Sequence, residues 1–228
     1  MIKLIIFDWD DVITIGSKEG YFACYHKAIN GVGVYLSPEE EYRRIVLKWG
    51  KHYREEIKEL LIEHPELVDE SAKIYEKEFW GGTFIKSLKI LNGTNELLLR
   101  LKDKYKLAVI TGNELKMIKE KVMPRFKIPN VFFELLSSCD ISDPEKMKPH
   151  PYMANLIMKK LKVLPEETVF IGDAVGDVKM ALAAKVIPII VLTGQLNKKK
   201  ALSLGVKNII NNVTLLEDYL NKNFISSK

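Results

Sequence analysis

Between Leu88 and Asn221, short β-branched or aromatic runs alternate with amphipathic helical segments, and this rhythm restricts the fold more than any other feature. The spacing predicts strands near Lys106–Ile110, Val131–Leu136, Thr168–Ile171, Ile187–Leu192 and Lys207–Ile210. Between and around them it predicts helices over Glu96–Asp103, Glu114–Met123, Tyr152–Leu161, Gly176–Ala184, Lys198–Leu204 and Leu215–Asn221. Strands separated by helices pair in parallel, so the expected fold class is α/β with a doubly wound parallel sheet. In such sheets ligands bind beyond the carboxyl ends of the strands, where strand order reverses. Residues just after each strand therefore carry the functional argument.

Residues 17–85 break the rhythm. They show no strand pattern and carry several helical segments rich in Glu, Lys, Tyr and Trp. Ser37, Pro38, Glu39 and Glu40 form a helix start. The expected division is an α/β core made of residues 1–16 and 86–228, with an all-helical insertion at 17–85. Placed directly after the first strand, such an insertion would overhang the mouth of the sheet as a lid. Gly50, Lys51, His52 and Arg54 could present a loop to a ligand; the alternative is that they are helix termini with solvated charges. Trp49, Tyr53, Tyr75 and Trp80 are expected in the core of the insertion.

Composition narrows the function classes. At 228 residues the chain can bury a substantial core, and no repeat or low-complexity linker interrupts it. Disorder is expected only at the end, around Ser226, Ser227 and Lys228. A net charge of +5, from 35 basic and 30 acidic groups, suits small anionic substrates and falls short of a nucleic-acid footprint. The run Lys198, Lys199, Lys200 is a solvated helix face. Cys24 and Cys139 are far apart, without CxxC or His partners, and indicate neither a zinc site nor a disulfide. No apolar run reaches the roughly 18 residues of a membrane span, and no signal-peptide pattern opens the chain, so a cytoplasmic enzyme is expected.

The apolar run Ile2, Leu4, Ile5, Ile6, Phe7 leads into Asp8, Trp9 and Asp10. Residues i and i+2 of an extended strand share a face, so both carboxylates can turn toward one small volume. Like charges that close repel, and burial strengthens the repulsion, so either a cation lies between them or one holds a proton. An Asp-rich turn is the alternative for this segment alone. Thr111, Gly112 and Asn113 follow the second strand, where a hydroxyl and a glycine amide make an anion-binding corner or, alternatively, a helix cap. Lys148 sits beside Pro149 and Pro151, which stiffen the backbone around it, while His150 is expected at a helix start. The fourth strand runs into Gly172, Asp173, Ala174, Val175, Gly176 and Asp177. Asp173 would lie beside the Asp8 pair if the two strands were neighbours.

The order of these motifs, DxDxV at 8–12, Thr at 111, KPxP at 148–151 and GDxxxD at 172–177, resembles the four signature motifs of the haloacid dehalogenase superfamily. The nearest branch is the one that includes phosphoglycolate phosphatase and β-phosphoglucomutase, whose helical cap enters after the first strand. The resemblance implies Asp8 as the nucleophile and Asp10 as general acid and then general base. It implies Mg²⁺ held by the Asp8 carboxylate, the Asp10 carbonyl and Asp173, with Asp177 behind them orienting a metal-bound water or Lys148. Thr111, Gly112, Asn113 and Lys148 form the implied phosphate site, and the implied partner is a small phosphorylated metabolite, with no nucleic acid or membrane and a monomeric or homodimeric enzyme. Asp11 and Lys185 stand where such members often carry Gly, and Asn92 where Pro is common.

The implied activity is Mg²⁺-dependent hydrolysis of a phosphomonoester through an aspartyl-phosphate. A phosphomutase resembling β-phosphoglucomutase is the main alternative. A 2-haloacid dehalogenase is disfavoured, because that activity needs no acid at position 10 and the family's dehalogenases lack a carboxylate there. A receiver-like phosphoacceptor module is disfavoured by motif order.

Overall fold

A computed structural model describes residues 1–49 and 51–224; Gly50 and the terminal Ile225, Ser226, Ser227 and Lys228 lie outside the described residues. The chain divides into two units, one formed by Met1–Ile15 with the chain from Lys89 onward, the other by Gly16–Leu88.

In the first unit six parallel strands take the order β3-β2-β1-β4-β5-β6. They are β1 Leu4–Phe7, β2 Lys106–Thr111, β3 Glu134–Ser137, β4 Thr168–Gly172, β5 Ile187–Val191 and β6 Ile209–Ile210. Every residue of β1 is buried, as expected for a central strand covered on both faces. Phe7 pairs with Val109 on one side and Ile171 on the other. Chain order reverses at β1, and β1 and β4 are neighbours, so the residues following them meet at the switch point. One face of the sheet is filled by Leu4, Ile6, Ala108, Ile110 and Phe170 against Met153, Ala154 and Ile157 from the helix Tyr152–Leu161.

Two elements depart from the sequence pattern. The segment predicted as one helix over Glu114–Met123 is a turn of α-helix at Leu115–Met117, a π-helical stretch at Ile118–Val122 and a further α-turn at Met123–Phe126. Pro124 is the cause: it has no N–H to continue the i→i−4 ladder, and a π-turn accommodates the break. The third strand begins at Glu134, three residues later than Val131. Phe132 turns inward, edge-on to Phe7 and Trp9 at centroid distances of 6.4 and 6.1 Å, which made a loop residue look like a strand residue.

The second unit contains no strand among its described residues. Its helices are α1 Ser17–Gly31, α2 Pro38–Lys48, α3 Tyr53–Leu60, α4 Val68–Trp80 and α5 Thr83–Ser87. The α2 start has the expected form, with Ser37 Oγ accepting from Glu40 N at 3.2 Å and Pro38 in the first turn. Tyr75 stacks on Tyr25 at 4.7 Å and on Tyr53 at 4.9 Å, and Trp80 meets Phe79 edge-on. Of the four rings expected inside, Tyr75 is buried, with Tyr25 and Phe79, whereas Trp49, Tyr53 and Trp80 are only partly buried at its edge. Arg54 pairs with Asp69 at 2.6 Å, and His52 caps α3 by accepting from Arg54 N. Both therefore serve helix termini, the alternative weighed from the sequence. No helix among the described residues is long and apolar enough to cross a membrane.

Candidate active site

Asp8 extends β1 by one step, donating its N–H to Ile171 O at 2.8 Å, and is 9 % exposed. Its Oδ1 accepts from Trp9 N at 2.7 Å and from Lys148 Nζ at 2.9 Å. The same ammonium reaches Asp177 Oδ1 at 2.9 Å. Lys148 arrives from the segment between β3 and the helix Tyr152–Leu161, where His150 accepts from Tyr152 N at the helix start, the place expected for it. Burial alone would push the Lys148 ammonium down, but the carboxylates of Asp177 and Asp8 outweigh it and hold the lysine charged.

Asp173 and Asp177 follow β4. Asp177 Oδ2 accepts from Asp173 N and Ala174 N, each at 3.1 Å, so with Lys148 on Oδ1 both its oxygens are engaged. Asp173 Oδ2 accepts from Gln195 N at 2.8 Å, while its carbonyl accepts from Leu196 N at 2.8 Å. Carboxylate oxygens of Asp8, Asp173 and Asp177 lie within 4.8 Å of one another.

Such crowding moves protons. Burial first, then the charge of Asp177, raises Asp8 against the opposing pull of Lys148, leaving it at about 7. Burial, reinforced by Asp8 and Asp11, raises Asp10 to about 8. Asp173 is raised well above the ordinary carboxylate range by burial and by the charges of Asp177 and Asp8. One ammonium does not neutralise this cluster, and a hard divalent cation is the group that would. The donor set fits one: Asp8 and Asp173 each keep a carboxylate oxygen beyond their protein hydrogen bonds, whereas Asp177 is committed to Lys148 and two amides.

At the end of β2, Thr111 Oγ1 accepts from Asn113 N at 2.9 Å. This is a local turn, since the helix that follows has Glu114 at its N-cap and no side-chain cap. The Thr111 O–H proton is then the group left to donate. Asn113 Nδ2 lies 3.5 Å from Asp10 Oδ1. The flap beyond Asp10 is a tight turn in which Val12, Ile13 and Thr14 all donate to Trp9 O, with Asp11 at φ 58 and its carbonyl accepting from Thr193 Oγ1 at 2.6 Å.

The structure thus brings Asp8, Lys148, Asp173 and Asp177 into one hydrogen-bonded group and Asn113 beside Asp10. Sequence reasoning gave no role to Thr193, Gly194 and Gln195 after β5. The rule that ligands gather beyond strand carboxyl ends applied to β5 as much as to β4, and a glycine stood there to mark it. At Gly194 a methyl group would overlap the Asp173 carboxylate, so only glycine lets this loop close on the cluster.

The sequence pattern of the haloacid dehalogenase-like hydrolases matches residues 2–185. A phosphorylated carbohydrates phosphatase of Thermotoga maritima is 28 % identical over 204 residues, covering 88 % of this chain and 90 % of that one. A phosphoglycolate phosphatase of Colwellia psychrerythraea is 33 % identical over 98 residues, 42 % of each chain. Among solved structures, a haloacid dehalogenase-like family protein from Streptococcus pneumoniae superposes with a TM-score of 0.76 at 19 % identity, over 96 % of this chain and 98 % of that one. A six-stranded parallel sheet in this order, carrying the acidic cluster at its switch point and matched over most of its length, makes the chain a member of the haloacid dehalogenase-like hydrolase family.

Proposed function

We propose that the protein hydrolyses a small phosphomonoester in two steps through Asp8. In the first, an Asp8 carboxylate oxygen attacks phosphorus in line, the bond to the leaving oxygen breaks, and the protonated Asp10 carboxyl delivers its proton to that oxygen. In the second, Asp10 takes a proton from water, the water oxygen attacks phosphorus, and Asp8 is released with inorganic phosphate. Thr111, the Gly112 amide and Lys148 hold the phosphoryl oxygens and stabilise the charge spread over them. Asp8 and Asp173, with the Asp10 carbonyl, would hold Mg²⁺, which when bound supplies positive charge to the phosphoryl group and to the crowded carboxylates. Asp177 fixes Lys148 and the backbone at Asp173.

The observation that carries this reading is the Lys148 ammonium shared at 2.9 Å between Asp8 and Asp177. It leaves the Asp8 carboxylate oriented and partly neutralised, as a nucleophile approaching an anionic substrate requires. The relatives named as phosphatases support the same chemistry. The helical unit Gly16–Leu88 serves as the cap that selects the leaving group.

Asp8→Asn tests the reading. With Mg²⁺ and a panel of sugar phosphates, phosphoglycolate and nucleotides, the wild-type protein releases inorganic phosphate and the variant loses about three orders of magnitude or more in turnover. A variant with full activity rules out Asp8 as nucleophile. Isomerised sugar phosphate in place of free phosphate identifies a phosphomutase.

A further inference from the structure

Asn113 belongs to the loop expected to bind phosphate, yet its surroundings give it another task. Its backbone is held from both ends: its N–H donates to Thr111 Oγ1 at 2.9 Å and its carbonyl accepts from Ser137 Oγ at 2.7 Å. Ser137 is itself fixed by accepting from Cys139 N at 2.9 Å, and Cys139 Sγ reaches back to Gly112 O at 3.4 Å. The ends of β2 and β3 therefore form one brace, and Asn113 is its inward member, only 2 % exposed.

From this brace the side-chain amide reaches Asp10. Nδ2 lies 3.5 Å from Asp10 Oδ1, at the outer edge of hydrogen-bond reach, a spacing usual for catalytic contacts that tighten when substrate binds. The other end of the amide, Oδ1, is buried without a hydrogen-bond partner. A buried polar atom left unsatisfied on a rigid mount is a sign of function. One planar amide offers a donor and an acceptor, and a half-turn about χ2 exchanges them, so Asn113 can face either form of Asp10 through the reaction cycle.

We infer that Asn113 is the positioning residue of Asp10: the brace at the ends of β2 and β3 fixes the backbone that carries its amide, and the amide holds the Asp10 carboxyl in the orientation for proton transfer to the leaving oxygen. The inference rests on the reading of Asp10 as general acid. It removes Asn113 from the phosphate ligands and gives the substrate's phosphoryl group to Thr111, Gly112 and Lys148.

The test is leaving-group dependence. An aryl phosphate such as p-nitrophenyl phosphate departs as a stable anion and needs little protonation, whereas an alkyl phosphate such as glycerol 2-phosphate needs the acid. Turnover of both substrates, the inhibition constant of inorganic phosphate and the melting temperature are measured for the wild type, Asn113→Ala, Asn113→Ser and Asp10→Ala. The expected result is that both Asn113 variants lose about 10-fold more kcat on the alkyl than on the aryl substrate, a fraction of what general acid catalysis supplies. Inhibition by phosphate stays unchanged. Equal losses on both substrates overturn the inference, with weakened phosphate inhibition marking a phosphate ligand and unaltered inhibition marking a packing role. Asp10→Ala separates the two levels. If it loses equally on both substrates, the general-acid reading falls and takes this inference with it. If it discriminates strongly while the Asn113 variants do not, this inference alone falls. Should the alanine variant fail to fold, the serine variant, which keeps a small polar side chain in the turn, carries the comparison.

Discussion

Four carboxylates and one ammonium meet at the carboxyl edge of the sheet, and the imbalance has a thermodynamic sign. In the unfolded chain Asp8 and Asp10 titrate near 3.8, while in the folded protein they stand at about 7 and about 8. Between these values the native state holds protons that the unfolded state has released, so stability falls as pH rises. Calorimetric melts in chelator are expected to show the melting temperature declining from about pH 4 to pH 8, the window set by those values. Because the proposed Mg²⁺ site takes its ligands as ionised carboxylates, the gain in melting temperature on adding Mg²⁺ is expected to be larger at pH 8 than at pH 5.5. A gain that is the same at both values contradicts the assigned ligands. Two of the three departures noted in the sequence, Asp11 and Lys185, stand where the backbone itself favours glycine. Both occupy left-handed backbone, at φ 58 and φ 59, where glycine carries no steric penalty. Lys185→Gly is therefore expected to raise stability by about 0.5–1 kcal/mol, measured by urea unfolding.

Elements deliver these residues, and their legibility varied with the type of signal. The helix Tyr152–Leu161 and the strands β2, β4 and β5 were readable because apolar periodicity and punctuating residues agreed. The π-turn before Pro124 was not, since a single such turn covers only Ile118–Val122, too few residues for a shift in side-chain phase to stand out from an α-helical pattern. Asp8, Lys148, Asp173 and Asp177 were recognisable as charged residues placed after strands. The loop after β5 escaped notice because its contribution is a backbone amide, Gln195 N on Asp173, and a missing side chain at Gly194. A backbone amide has no residue-type signature, and the glycine marks a close approach without saying what approaches. Gly194→Ala tests that contribution: the added methyl displaces the Asp173 carboxylate, and the Mg²⁺ concentration for half-maximal activity rises about 10- to 100-fold, as for other losses of support behind a metal ligand. An unchanged Mg²⁺ requirement excludes Asp173 from the metal site.

At the scale of the whole molecule, the chain leaves the sheet unit at Ile15 and returns to it at Lys89, and these two residues are hydrogen-bonded to each other, Ile15 N to Lys89 O at 2.9 Å and Lys89 N to Ile15 O at 2.8 Å. The proposed assignment of leaving-group choice to the helical unit gives an expected outcome. Replacing Gly16–Leu88 with the matching segment of a phosphatase relative keeps Mg²⁺-dependent turnover and reorders the substrate preferences. Preferences that stay in the original order place selection elsewhere. The Ile15–Lys89 pair explains why such an exchange is open to evolution as well as to the bench. It acts as a buckle: the excursion is closed at its base whatever lies within it, and the entropy of closing a longer loop grows only logarithmically with length. Insertions, deletions and substitutions in the helical unit thus leave the spacing of β1 and the residues after it undisturbed, so changes there can be sampled while the proposed nucleophile, Asp8, never has to be rebuilt.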